Sequence, residues 1–96
     1  MKKKGTRRKA GAWLARVSVG LKPEVLDPQG KTVRMALKSL GFKSVTDVRV
    51  GKHFWIRLDG SITRERASRE VSRMSAKVLT NAIIETFTFT IARGRD

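Results

Sequence analysis

The fold turns on one stretch, Leu21-Lys22-Pro23-Glu24-Val25-Leu26-Asp27-Pro28-Gln29-Gly30-Lys31, which leads into an apolar periodicity. Asp27 is a residue type that caps a helix, its carboxylate accepting hydrogen bonds from the first free backbone N–H groups. Pro28 then takes the first helical position, where its fixed φ fits and its missing N–H costs nothing. Val33, Ala36, Leu37 and Leu40 recur at i, i+3, i+4 and i+7, one apolar stripe of a helical period, and Gly41 supplies the left-handed residue that ends it. The sequence therefore predicts a helix from Pro28 to about Leu40. Val45-Thr46-Asp47-Val48-Arg49-Val50-Gly51-Lys52 follows and reads as a strand running into a glycine turn.

Upstream of this stretch, Trp13, Ala15, Val17, Val19 and Leu21 alternate with Leu14, Arg16, Ser18 and Gly20, the period of a half-buried strand. Downstream, Phe54, Ile56 and Leu58 share a face of another strand. A loop of Gly51, Lys52 and His53 keeps Val48 and Val50 on the same side as that face, whereas a shorter loop would turn them away. Thr63 with Glu65 opens a second helix, in which Ala67, Val71, Met74 and Val78 form the apolar stripe down to about Leu79. Asn81 breaks it, and Phe87, Phe89 and Ile91 then alternate with threonines as a last strand.

The order β-α-β-β-α-β points to an α+β, ferredoxin-like antiparallel sheet with two helices on one face. Its open face should carry Arg16, Ser18, Arg49, Trp55 and Arg57. Apolar edges on so small a domain predict a dimer or a dimer of dimers.

The chain has 96 residues and a net charge of +14, with no cysteine. Residues 1–11 hold six cations and no acid, which reads as a basic disordered tail, leaving 12–96 as a single domain with sixteen basic and eight acidic residues. The absence of cysteine removes thiol nucleophiles, thiolate metal sites and disulfides. No apolar run approaches the roughly 18 residues of a membrane span, so a cytoplasmic location is expected.

Little in the chain could run a reaction. It has one histidine, His53, in an expected turn, and its acids show neither metal-ligand nor paired-carboxylate spacing. Gly30 near a helix N-terminus suggests phosphate binding only weakly, since no glycine-rich phosphate loop surrounds it and Asp27 opposes an anion there. No catalytic, metal or cofactor residue is expected. An alternative is an RNA-binding module that stacks bases on His53 and Trp55 beside Arg57, aided by the basic tail, although the signature of RNA-recognition strands is incomplete.

The segment Leu21 to Lys31, followed by Asp47-Val48-Arg49-Val50-Gly51-Lys52, resembles the PurS family, the small accessory subunit of phosphoribosylformylglycinamidine synthase in de novo purine biosynthesis. The likeness covers about Trp13 to Ile91. Its motif falls on Lys22, Leu26, Asp27, Pro28, Gln29 and Gly30, on Asp47, Val48, Arg49, Gly51 and Lys52, and on Asn81, Ile84 and Glu85. The resemblance implies a non-catalytic subunit of a glutamine-dependent, ATP-consuming ligase. It would associate with itself and bridge a glutaminase subunit to a large synthetase subunit that uses Mg-ATP, assisting ammonia transfer between them. The chain departs from the family in its long basic start, in the arginine-rich Ser61 to Arg73 segment, and in Ala82 where proline is common.

Overall fold

The computed structural model describes residues 11–94; residues 1–10, on which the tail assignment rests, lie outside the described residues. Gly11 is described, and its carbonyl accepts from Arg93 Nη1 at 2.8 Å.

Alternation makes the first strand. β1 (Trp13–Leu21) is the centre of a three-stranded antiparallel sheet, flanked by β2 (Gly51–Leu58) and β3 (Glu85–Arg93). Val17 sits opposite Phe54 on one side and Phe89 on the other, so the apolar sets of all three strands share a face. Trp13, Ala15, Val17 and Val19 are buried there. Phe54, Ile56, Leu58, Phe87, Phe89 and Ile91 pack around them.

α2 (Arg64–Met74) covers this face with Ala67 and Val71, both fully buried. Its start is capped as expected, Thr63 Oγ1 accepting from the Arg66 N–H at 3.1 Å. The helix then widens into a π turn over Ser75–Leu79, closed by a bond from the Thr80 N–H to the Ser75 carbonyl at 3.1 Å. The extra residue per turn ends the period on which the predicted stripe was counted. Val78 is turned out and is 77% exposed, while Leu79 packs against the core in its place.

The far end of the sheet is closed by Trp13. Its Nε1 donates to the Ile62 carbonyl at 2.8 Å, and the Arg93 guanidinium lies 3.7 Å from its ring centroid. On the open face Arg16 stacks 4.7 Å from the centroid of Trp55, and His53 meets the same indole edge-on at 5.9 Å.

The α+β class, the antiparallel sheet and both helices stand, but three strands replace the four expected, and only α2 covers the sheet. α1 (Pro28–Ser39) begins at the Asp27 cap and ends at Gly41, whose φ is +102°. Its Leu40 (74% exposed), Met35, and Phe42 just beyond it face solvent. Residues 45–50 form no ladder, although the outer edge of β2 stays open, because the segment's polar groups are held at α1. The Val50 N–H goes to Asp27 Oδ2 at 2.8 Å, and the Val45 carbonyl accepts from Lys38 Nζ at 3.3 Å. The expected loop Gly51 to His53 is instead the start of β2, paired with Gly20, Val19 and Ser18. Arg49, placed by sequence on the open face, reaches back to the turn before α1.

Candidate functional site

The residues singled out from sequence gather where α1 leaves the sheet. Asp27 organises the place and is only 6% exposed. One carboxylate oxygen accepts from the Gly30 N–H at 2.8 Å, as a cap should, and the other accepts from the Val50 N–H at 2.8 Å, twenty-three residues away. Pro28 holds the first helical position beside it, and Gly30 is buried against the Val48 carbonyl, where a side chain would collide. Asp27 is thus both the cap of α1 and the pin that holds 45–50 to its foot.

Arg49 makes the second pin. Its Nη2 donates to the Lys22 carbonyl at 2.9 Å and the Val25 carbonyl at 2.8 Å, closing the turn that carries the chain from β1 to α1. Lys22 contributes its backbone, its N–H donating to the Ile84 carbonyl at 2.8 Å. A third set ties the start of β2 to the start of β3. Lys52 Nζ lies 3.6 Å from Glu85 Oε2 and 3.5 Å from the Leu79 carbonyl, while Glu85 Oε1 accepts from the Asn81 N–H at 2.7 Å. Gly51 lets β1 and β2 close up, since any Cβ there would overlap the Val19 carbonyl oxygen.

Two adjoining clefts open on this joint. Gln29 lines the smaller, of 290 Å³, together with Asp27, Val50, Gly51, Lys52 and Glu85. Asp47 lines the larger, of 490 Å³, with Pro23, Arg49 and Phe87. Among the described residues no group of three or more His, Cys, Asp or Glu is placed to hold a metal ion, and no helix is long and apolar enough to cross a membrane.

Sequence reasoning found the Asp27 cap but not its bond to Val50, nor the grip of Arg49 on two carbonyls, because nothing local marks a partner so far along the chain. The Arg16 and Trp55 contact was recoverable from alternation once the two strands are known to pair, since these residues stand directly opposite each other.

The Val50 and Gly30 N–H groups, in that order, hold the Asp27 carboxyl below its ordinary value of 3.8, and Arg49 adds to the effect. A lowered pKa contributes stability that is complete above the ordinary value and is lost as pH falls through the folded value. Asp27→Ala should therefore lower Tm by about 10 °C at neutral pH, through the lost cap and the orphaned Val50 N–H. The gap from wild type should narrow below pH 3.8. Some acid sensitivity will remain, since Asp59 is lowered in the same way by Ser61. Thermal melts across pH check this; a gap that stays constant into acid would contradict the role given to the carboxylate.

Side chains that anchor backbone, on an α+β scaffold that leaves one of its two helices uncovered, are the build of a small assembly module. The chain belongs to the PurS family, the small subunit of phosphoribosylformylglycinamidine synthase in purine biosynthesis. The family profile, described as phosphoribosylformylglycinamidine (FGAM) synthase, matches residues 14–93. The chain is 37% identical over 76 residues to the PurS subunit of phosphoribosylformylglycinamidine synthase from Synechocystis, covering 79% of this chain and 75% of that one. In structure it resembles PurS of Methanocaldococcus jannaschii, with TM-score 0.77 and 31% identity over 86% of this chain and 99% of the other. The fold also matches a chain in the structure of PurLQS from Thermotoga maritima, with TM-score 0.77 and 21% identity over 84% and 98% of the two chains. The RNA-binding alternative finds no support in these matches.

Proposed function

We propose that this chain is a non-catalytic, cytoplasmic subunit that joins a glutaminase to the large ATP-dependent synthetase and helps ammonia pass between them without release. In this reading Mg-ATP and glutamine belong to the partners, and no cofactor binds here. The observation that carries it is the exposed stripe on α1, held at a set angle by a joint built from Asp27, Gly30, Arg49 and Val50. Such effort to aim an uncovered helix makes sense if the helix is to be covered, first by a second copy to form a dimer or dimer of dimers. An assembly that contains PurS is known from Thermotoga maritima, as PurLQS.

The test is reconstitution. With the partner subunits present, leaving out this chain should lower glutamine-dependent synthesis more than about tenfold, while synthesis driven by high external ammonia continues. Glutamine-dependent turnover at full rate in its absence would refute the reading.

A further inference from the structure

α2 and the π turn carry a row of cations that no acid among the described residues pairs with. Arg69, Arg73 and Lys77 follow at intervals of four residues, so they lie along one side of the element, and all three are exposed. Arg66, by contrast, is paired with Glu70 at 2.9 Å. Among the described residues Arg69, Arg73 and Lys77 have neither an ion-pair nor a hydrogen-bond partner. Like charges at this spacing repel and weaken a helix. Attraction to the C-terminal end of the helix dipole accounts for Arg73 and Lys77; Arg69 stands mid-helix, one turn after Glu65 but outside ion-pair distance of it.

The π turn sets an apolar residue among these charges. Val78, turned outward, joins Met74, Arg73 and Lys77 around a shallow depression of 290 Å³, where the one acid, Glu70, is already held by Arg66. A nucleic-acid backbone asks for cations and has no use for an exposed valine beside them. Arginine and methionine around a small apolar centre, with charge at the rim, fit a protein partner. Residues 11–94 hold fifteen basic and seven acidic side chains, so a negative partner is drawn toward this domain from a distance.

We propose that Arg69, Arg73 and Lys77, with Met74 and Val78, form the docking surface for an acidic protein surface on a partner subunit of the synthase, one offering carboxylates around an apolar side chain. The inference rests on the subunit role proposed above and adds to it the face and the chemistry of contact.

Association of the full chain with the purified glutaminase and synthetase subunits of its own organism provides the test. Binding of the wild-type chain should weaken steeply as salt rises from about 0.05 to about 0.5 M. Arg69→Glu with Arg73→Glu should weaken it about tenfold or more and flatten the salt dependence, chiefly through slower association. Arg69→Gln with Arg73→Gln, milder for the fold, should give an intermediate loss; both variants should keep the wild-type helix content and self-association, the Glu pair with a Tm a few degrees lower because Arg73 leaves the C-terminal end of the dipole. Wild-type binding with unchanged affinity and salt slope in the variants overturns this surface while leaving the subunit role intact. Failure of the wild-type chain to bind either subunit at any salt overturns both. Loss of affinity for a single-stranded RNA of about 20 nucleotides, with subunit binding untouched, overturns the proposal in favour of a nucleic-acid surface.

Discussion

Gly30→Ala will lower Tm by about 10 °C, although the same exchange inside an ordinary helix stabilises. The sign reverses because of what the missing Cβ would meet. It would overlap the Val48 carbonyl oxygen and stand 2.9 Å from Asp27 Oδ2. Neither can yield cheaply: the first is backbone, and the second is fixed by bonds from Gly30 and Val50. Relief therefore requires α1 to move off residues 45–50, breaking the bond from Asp27 to Val50. Gly41→Ala is the informative comparison. Space is open around Gly41, so its cost is the left-handed φ of +102° alone, about 1–2 kcal/mol. Calorimetry of both variants decides the matter, and a Gly30→Ala protein as stable as wild type would mean that the foot of α1 is not packed as described.

Val33→Glu with Leu40→Glu will reduce the dimer proposed above to a monomer without unfolding the chain. Both residues are exposed, so neither contributes to the core of one chain. In a dimer covered along α1, each introduced carboxylate would have to be buried without a partner, weakening association roughly a hundredfold or more. Sedimentation at micromolar concentration should show a reduced mass at unchanged helix content. A wild-type protein that is already a monomer there, or a variant with the wild-type mass, would remove α1 from the interface.

Much of the fold was legible because it obeys local rules. Asp27 with Pro28, Thr63 before Arg64, and Gly41 at positive φ each mark a helix end within a few residues, and the alternation in 13–21 and 85–93 is a property of the strand itself. Residues 45–50 misled because alternation shows only that a segment could sit in a sheet, not that its backbone groups are free to pair there. Here the outer edge of β2 is open, but the Val50 N–H is bound to Asp27 and the Val45 carbonyl to Lys38. Val78 misled for a related reason: a period of 3.6 was extrapolated across a turn that does not keep it. At the joint, the cap was readable from spacing. Arg49 on the Lys22 and Val25 carbonyls, and Lys52 with Glu85, join residues far apart in the chain, and only the family resemblance brought them together beforehand.

The place of β1 at the centre of the sheet bears on how the protein is made. Its first partner strand begins thirty residues after it ends, and its register with β3 sets Trp13 against Arg93. During synthesis the most apolar strand leaves the ribosome first and has nothing to pair with until β2 follows. Its second edge stays bare until residue 93 has emerged. Pairings so distant in sequence are slow to form, and an unpaired apolar strand is prone to stick to its neighbours while it waits. The sheet of this domain is thus completed only after Arg93 has emerged, and the earliest strand is the one most in need of protection.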